Sequence, residues 1–310
     1  MKQSPQISED KDISLVLGSG GAKGMTHVGV IRCLEDHGFN IQYIAGSSIG
    51  AIVGGIYAAG KLDAFADWAS ALRKINVLRL FDFSFGKGGI FRGDRIIETF
   101  RNLVGDYQIE DLEIGYTAVA TDIFFAGKRR EVWLNEGCLF DAMRASMAIP
   151  GFFSPVLKHG QVLVDGGIIN PVPVAPTLND STALTIAVNL NGQYDLQLNH
   201  KKDNKNIKSV DGLIANTYQK SIGQFIENLW QEDSEPDGIR NEGLSLIDVM
   251  IRSMEVTQSA LTQFKLAGTV PTHIIEMPTN LCNFLDFHRS SELIDYGYTK
   301  TEELIKTNKL

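Results

Sequence analysis

The stretch Gly46-Ser47-Ser48-Ile49-Gly50 decides the fold class of this chain, because it has the Gly-x-Ser-x-Gly form of a nucleophile elbow between a strand and a helix. Its two glycines remove Cβ atoms where such a turn brings backbone against backbone. Apolar residues predict a buried strand at Ile41–Ala45, and their helical spacing afterwards predicts a helix over Ser48–Ala59 that Gly60 ends. Ser48 is therefore a candidate nucleophile at a helix N-terminus, where orphan N–H groups and the helix dipole favour an oxyanion. The alternative is a chance match in a glycine-rich chain.

The composition is that of a globular protein with one large domain or two small ones. The chain has 310 residues, 44% of them hydrophobic, which is enough to fill a substantial core. Its 29 basic and 37 acidic residues give a formal net charge of −8 without a long basic run, and this argues against a nucleic-acid partner. The cysteines match neither a disulfide framework nor a cysteine-based zinc site, and we expect buried thiols of a reducing compartment at Cys33, Cys138 and Cys282.

The uncharged segment Gly38–Gly60 has the length of a membrane span and contains Gly-x-x-x-Gly spacings. It also contains Asn40, Gln42 and two serines, and its periodicity changes midway from strand to helix, so we reject a membrane span. The polar opening Met1–Lys11 lacks the apolar region of a signal peptide. These features predict a cytoplasmic protein, peripheral to the membrane at most.

Short apolar runs alternate with helical patterns over residues 13–190, which predicts an α/β fold with a mostly parallel sheet covered on both faces. Strands are expected at Ile13–Leu17, Ile41–Ala45, Ile114–Ala120, Glu131–Leu134, Gln161–Val164, Ala183–Val188 and His273–Met277. Helices are expected at Gly24–His37, Ser48–Ala59, Leu62–Leu72, Asp94–Val104, Leu139–Ser146, Val210–Trp230, Leu244–Ala267 and Ser290–Lys306. We expect a single domain over 13–306, in which a core (13–190), a polar solvent loop (191–208) and a helical C-terminal part (209–306) follow a polar tail (1–12).

A glycine-rich loop, Gly18-Ser19-Gly20-Gly21-Ala22-Lys23-Gly24, follows the first predicted strand and leads into a helix. A dinucleotide site would need a glycine where Lys23 stands, and a Walker P-loop would need a closing Gly-Lys-Ser/Thr. The remaining chemistry is an oxyanion hole, in which N–H groups around Gly20 and Gly21 face the negative oxygen of an acyl intermediate. Lys23 opposes the dipole of the following helix, so we expect either an anionic group beside it or a lysine that points into solvent.

The third motif is Asp165-Gly166-Gly167, directly after the predicted strand Gln161–Val164. Asp-Gly most often marks a turn, but ligands gather at the ends of strands in α/β sheets. A carboxylate held against a serine in a dry pocket would have a raised pKa and could take the hydroxyl proton as general base. Asn170 could orient this carboxylate or cap the turn.

In this order, the three motifs resemble those of the patatin-like phospholipases, specifically the bacterial members of that family. Residues 13–190 carry the resemblance, Arg144–Gly151 matches a further family segment, and Leu244–Asp295 is similar less specifically. The resemblance implies a three-layer α/β/α fold, a Ser–Asp dyad without histidine, and hydrolysis of acyl esters in phospholipids, lysophospholipids or related lipids. We expect no cofactor and no metal, a lipid or acyl-ester substrate, and transient contact with a membrane surface.

Carried over by position, the resemblance makes Ser48 the nucleophile, Asp165 the base, and Gly20 and Gly21 the frame of the oxyanion hole. Lys23 and Asn170 are weaker candidates for substrate binding. The chain departs from the family at Ser19, where a further glycine is common. A serine there would cost about 1 kcal/mol or more if the position needs a positive φ.

Two other functions compete with this interpretation. One is a Ser-His-Asp esterase, whose base would be His159, His273 or His288, although the family dyad leaves these histidines no task. The other is a phosphate- or ligand-binding module in which Gly18–Gly24 holds a phosphate and Ser48 is inert. Aromatic residues near the motifs are either core or an apolar mouth for lipid: Phe81, Phe83, Phe85, Phe91, Phe152 and Phe153.

Overall fold

An eight-stranded mixed sheet organises the computed structural model, which describes residues 11–73, 89–124, 130–201 and 246–310. The strands in chain order are Asp12–Leu17 (β1), Asn40–Ser47 (β2), Gly89–Phe91 (β3), Gly115–Asp122 (β4), Glu131–Leu134 (β5), Gly151–Phe153 (β6), Val156–Lys158 (β7), Gln161–Asp165 (β8), Leu184–Gly192 (β9) and His273–Pro278 (β10). The α-helices are Thr26–Asp36 (α1), Ile49–Ala58 (α2), Leu62–Ser70 (α3), Asp94–Val104 (α4), Leu139–Ser146 (α5), Leu246–Gly268 (α6) and Ser290–Lys306 (α7).

The sheet has the order β10-β9-β1-β2-β4-β8-β7, with β5 paired to β4, and β3 and β6 form a separate two-stranded sheet. The five strands from β10 to β4 are parallel to one another, whereas β5 and β8 run antiparallel to β4, and β7 runs antiparallel to β8. Parallel neighbours need a crossover, and α1 provides it between β1 and β2. Helices packed on the sheet complete the three-layer α/β/α fold that the sequence predicts.

The register of β4 brings the three motifs to one place in the sheet. Ser47, at the end of β2, pairs with Val119, and Asp165, at the end of the antiparallel strand β8, pairs with the next residue, Ala120. The glycine-rich loop Gly18–Gly24 leaves β1 at the same edge, because β1 and β2 are parallel. Segments far apart in the chain therefore converge where β2 ends.

Close packing of α1 against α7 depends on glycine. A Cβ atom at Gly29 of α1 would lie 1.9 Å from the carbonyl oxygen of Ile294, and one at Gly297 of α7 would lie 2.2 Å from that of Thr26. Both distances are far below contact, so any larger residue would force the helices apart. The packing fixes α1 directly after the glycine-rich loop.

Most predicted elements are confirmed, and the differences have local causes. The first predicted helix, Gly24–His37, begins earlier as a 3₁₀ turn over Gly21–Met25 before α1. β3, β6 and β7 were not predicted, because each has three residues, too few for a periodic signal. The expected solvent loop 191–208 is wrong at its start, where Asn191 is a buried part of β9. The predicted helix Val210–Trp230 lies outside the described residues.

By its contacts the chain divides into two compact units, Met1–Tyr194 with Leu246–Leu310, and Asp195–Ser245. Within the second unit, the described residues form a 3₁₀ turn, Leu196–Lys201. The single domain over 13–306 therefore stays a prediction.

Segment Gly38–Gly60 folds into β2 and α2, which confirms that it is not a membrane span. Among the described residues, no helix has the length and apolar character needed to cross a membrane. All three cysteines are free thiols; Cys33 and Cys282 are buried as expected, and Cys138 is half-buried.

Candidate active site

Ser48 stands at the turn between β2 and α2 with φ 56° and ψ −122°, a backbone conformation that non-glycine residues rarely adopt. The flanking glycines are required by close approach. A Cβ at Gly50 would lie 2.1 Å from the carbonyl oxygen of Leu17, and one at Gly46 would lie 2.5 Å from the backbone nitrogen of Ala51. The predicted strand, strained turn and helix are all present, so the serine hydroxyl is held at the tip of an elbow.

The Ser48 hydroxyl donates a hydrogen bond to Asp165, with 2.5 Å between Oγ and Oδ2. The other carboxylate oxygen, Oδ1, accepts the backbone N–H of Gly167 at 2.7 Å. Asp165 is 0% exposed. Burial raises the pKa of its carboxyl group to about 7, against the smaller lowering effect of the hydrogen bonds from Ser48 and Gly167. A carboxylate with this pKa can accept a proton from an adjacent hydroxyl near neutral pH.

The backbone of Asp165 is fixed on both sides of its side chain. Its N–H donates to the carbonyl oxygen of Ala148 at 2.9 Å, and its own carbonyl accepts the hydroxyl of Thr121 at 2.9 Å. Ala148 follows α5, and Thr121 lies on β4. Two different elements therefore hold the carboxylate in place.

The glycine-rich loop has two N–H groups that make no hydrogen bond within the described part of the chain, those of Gly20 and Gly21. The neighbouring N–H groups donate to carbonyl oxygens: Gly18 to Val188, Ser19 to Pro171 and Ala22 to Phe284. Gly21 has φ +56°, a left-handed conformation that favours glycine. Two adjacent free donors on a loop fixed at both ends are what an oxyanion hole needs.

His27, in the first turn of α1, makes a hydrogen bond to the backbone of this loop. It is not among the functional residues predicted from the sequence. It is fully buried, and its Nε2 donates to the carbonyl oxygen of Gly18 at 2.8 Å. Burial lowers its pKa to about 4, against the raising effect of the bond to Gly18, so the ring is neutral near pH 7. The position of His27, three residues after the glycine-rich loop, does not by itself indicate that its side chain turns back to Gly18.

Ser19 does not have a positive φ; in the described ranges the non-glycine residues that do are Ser48, His159 and Asn308. The backbone cost considered for a serine at this position therefore does not arise. Its hydroxyl is buried and has no hydrogen-bond partner within those ranges.

The side chains of Lys23 and Asn170 interact with glutamates outside the proposed dyad and make no hydrogen bond to Asp165. Lys23 is 1% exposed, and its Nζ lies 3.6 Å from Oε1 of Glu255 on α6, which confirms the expected anionic neighbour and shows the solvent-pointing alternative to be wrong. Asn170 donates to Oε1 of Glu131 at 2.9 Å, so its side chain neither orients Asp165 nor caps the turn. The expectations that Asn170 orients Asp165 or caps the turn are therefore both wrong, because its side-chain amide is directed to Glu131.

An apolar cavity of about 90 Å³, partly open to solvent, begins at Ser48 and Gly21. Its walls come from α2, α3, α4, the segment after α5 and the segment before α7, and include Ile52, Trp68, Phe100, Met147, Phe152 and Phe284. Neither Lys23 nor Asn170 is among the residues that line it. The Ser48 hydroxyl therefore lies at one end of an apolar cavity, which can hold a hydrocarbon chain.

Three of the aromatic residues considered as core or as an apolar mouth, Phe91, Phe152 and Phe153, are buried. Phe91 packs on Phe152 with 5.0 Å between ring centroids, and Phe152 packs on Phe153 at the same distance. Phe91 does not line the cavity and agrees with the core interpretation, whereas Phe152 and Phe153 are buried and also line the cavity, so their burial agrees with both interpretations. Phe81, Phe83 and Phe85 lie outside the described residues.

The histidines considered as a third catalytic group lie elsewhere. His159 is in the turn between β7 and β8, His273 begins β10, and His288 is in the 3₁₀ turn Phe287–Arg289. Within the described ranges, none of them makes a hydrogen bond to Ser48 or Asp165. The geometry therefore offers a serine and a carboxylate in direct contact, without an imidazole between them.

A match to a family model and the similarity to individual proteins both indicate the same family. The family model described as patatin-like phospholipase matches residues 15–178. An uncharacterized NTE family protein of Mycobacterium tuberculosis is 38% identical over 94% of this chain and 90% of its own length. Human patatin-like phospholipase domain-containing protein 6 is 33% identical over 59% of this chain and 14% of its own length, and Drosophila melanogaster neuropathy target esterase sws is 31% identical over 62% and 14%.

Proposed function

The chain belongs to the patatin-like phospholipase family, and on this premise we propose that it is a serine acyl hydrolase of phospholipids, lysophospholipids or related lipids. The observation that carries the proposal is the 2.5 Å hydrogen bond from Ser48 Oγ to Asp165 Oδ2 at the end of an apolar cavity. An inert serine in a phosphate-binding module would need neither a strained backbone nor a buried carboxylate partner.

In the first half of the reaction, Ser48 Oγ attacks the carbonyl carbon of the ester while Asp165 takes the hydroxyl proton. The carbonyl oxygen becomes negative and accepts hydrogen bonds from the backbone N–H groups of Gly20 and Gly21. Collapse of this intermediate breaks the bond to the alcohol, which leaves with the proton from Asp165. The product at this stage is an acyl ester on Ser48.

In the second half, water attacks the acyl carbon and gives its proton to Asp165. The same two N–H groups stabilise the second oxyanion, and the proton returns to Ser48 Oγ as the fatty acid leaves. Asp165 serves as base and then as acid in each half. Its pKa of about 7 suits both roles, because a group that titrates near the working pH can exchange a proton in either direction.

The apolar cavity supports a fatty-acyl group as the part of the substrate that the protein binds. Each buried CH₂ contributes roughly 0.8 kcal/mol, so the cavity should favour long acyl chains over acetyl esters. The formal net charge of −8 disfavours electrostatic attraction to anionic bilayers, and we propose that contact with a lipid surface is transient and apolar. A cytoplasmic location stays a prediction from the sequence.

The decisive experiment compares Ser48→Ala with Ser47→Ala. Ser47 is the adjacent buried serine, and its hydroxyl has no hydrogen-bond partner within the described residues, so it is a matched control. We expect Ser48→Ala to lose both covalent labelling by a fluorophosphonate and release of fatty acid from lysophospholipid, while Ser47→Ala keeps both. Labelling that persists in Ser48→Ala would refute the nucleophile. A native chain that neither labels nor hydrolyses esters would favour the binding-module alternative.

A second experiment tests the acyl group through α3. Ala69 lines the cavity, and Ala66, on the same helix, is equally buried but does not line it. We expect Ala69→Leu to lower the rate on palmitoyl esters relative to butyryl esters, whereas Ala66→Leu should leave this ratio unchanged. Measuring the ratio separates cavity filling from a general loss of folded protein. Equal ratios in both variants would place the acyl chain elsewhere.

A further inference from the structure

We propose that Ser146 is a positioning residue that holds the backbone of Ser48 in its reactive conformation. The segment Arg144–Gly151, which the resemblance marked without a role, would thereby set the contact between nucleophile and base. This inference rests on the proposed hydrolase function, because it concerns the same dyad.

Ser146 is the last residue of α5 and is 0% exposed. Its Oγ accepts the backbone N–H of Ser48 at 2.9 Å and donates to the carbonyl oxygen of Val119 at 2.6 Å. A hydroxyl has one proton and two lone pairs, so these two bonds fix its orientation. The nucleophile's backbone is thus tied through one side chain to the centre of β4.

The bond matters because the backbone of Ser48 is strained. A residue with φ 56° and ψ −122° keeps this conformation only when its surroundings hold it there. The N–H of Ser48 precedes α2 and has no partner within that helix, so without Ser146 it would be an unsatisfied buried donor. The bond to Ser146 also removes this N–H from the possible oxyanion donors, which leaves that role to the glycine-rich loop.

The same short segment holds the other half of the dyad. Two residues after Ser146, the carbonyl oxygen of Ala148 accepts the backbone N–H of Asp165 at 2.9 Å. One turn of chain therefore binds the backbone of both the nucleophile and the base. The 2.5 Å contact between Ser48 Oγ and Asp165 Oδ2 depends on the relative placement of these two backbones.

Neighbouring residues of the segment have a different task. Met147 and Ile149 line the apolar cavity, whereas Ser146 and Ala148 bind the dyad backbone. Alternate residues thus face the substrate side and the scaffold side. Ser146 does not line the cavity, so its effect on the reaction is expected to act through Ser48 and not through substrate binding.

The test compares Ser146→Ala with Ser14→Ala. Ser14 is also 0% exposed, and its hydroxyl also makes two hydrogen bonds, in this case to the side chains of Asp180 and Thr182, but it lies on β1 three residues before the strand ends. For Ser146→Ala we expect the fluorophosphonate labelling rate and kcat to fall by about 100-fold with little change in KM, since a displacement of about 1 Å can cost that much. Ser14→Ala should label at the native rate.

The pH profile of labelling gives a readout that general destabilisation would not move. The hydrogen bond from Ser48 lowers the pKa of Asp165. If Ser146→Ala displaces Ser48 and breaks this bond, the pKa of Asp165 should rise, and the pH below which labelling slows should rise with it. The thiol of Ser146→Cys forms only weak hydrogen bonds, so this variant should label at an intermediate rate. It replaces the alanine variant in the test if Ser146→Ala does not fold.

Amide hydrogen exchange at Ser48, followed by NMR, tests the backbone contact without activity. We expect protection in the native chain and in Ser14→Ala, and fast exchange in Ser146→Ala or, should that variant not fold, faster exchange in Ser146→Cys. Native labelling rates in the Ser146 variants, or undiminished protection of the Ser48 amide, would overturn the proposal. If the native chain does not label at all, the hydrolase function fails, and the exchange measurement still decides whether Ser146 holds Ser48.

Discussion

Replacement of Asp165 by asparagine should stabilise the folded protein at pH 8 while it abolishes hydrolysis. Burial raises the pKa of this carboxyl group from 3.8 to about 7, a difference of about 3 units. Each unit corresponds to 1.36 kcal/mol, so the ionised carboxylate costs the folded state about 4 kcal/mol at pH 8. Asparagine has nearly the same shape and no charge. We expect a gain in the free energy of unfolding of about 2 to 4 kcal/mol, reduced by weaker hydrogen bonds to Ser48 and Gly167.

The pH dependence of this gain has a definite sign. Because the pKa of Asp165 is higher in the folded state than in the unfolded state, the folded protein takes up a proton as the pH falls from above 7 towards 3.8, and the unfolded protein does not. The native chain therefore gains stability from this group across that window. The advantage of Asp165→Asn should be largest above pH 7 and should shrink towards zero near pH 4.

The assay is urea unfolding of the native chain and Asp165→Asn at pH 8, 6 and 5, with Asp67→Asn as control. Asp67 is an exposed residue of α3, so its replacement should leave the pH dependence unchanged. A variant that is less stable than the native chain at pH 8 would refute the reasoning. A difference that stays constant with pH would show that the carboxyl group does not titrate in this window.

Three further predictions concern the reaction and the elbow. The value of kcat/KM should fall as the pH drops below about 7, because protonated Asp165 cannot take the proton of Ser48; a rate that stays constant down to pH 5 would contradict this. Gly50→Ala should lower the melting temperature measured by circular dichroism far more than Gly268→Ala, because the added Cβ lies 2.1 Å from a backbone oxygen at Gly50 and meets nothing within 4 Å at Gly268; equal losses would be inconsistent with the close approach. Replacing His159, His273 or His288 by alanine, one at a time, should leave most of the esterase activity. A loss at one of them as large as that of Asp165→Asn would point to a Ser-His-Asp triad.

The sequence by itself determined the local architecture around the nucleophile. A strand of mostly apolar residues, two glycines and a helical repeat lie within about twenty consecutive positions, and each acts through its neighbours in the chain. The elbow, most helices and the long parallel strands could therefore be predicted with nearly correct bounds. Position after a strand also marked Asp165, since the carboxyl ends of strands in such sheets gather ligands.

Only the tertiary structure decided which distant groups meet. Ser48 and Asp165 are 117 residues apart, and their contact follows from the register of β2 and β8 on β4. Ser146 and His27 bond to backbone atoms that lie next to them only after the sheet and helices pack, so no spacing in the sequence marks them. The direction of a long or branched polar side chain is likewise set by what surrounds it in the fold. Lys23 turns into a buried ion pair because α6, more than 200 residues further along the chain, brings a carboxylate to it.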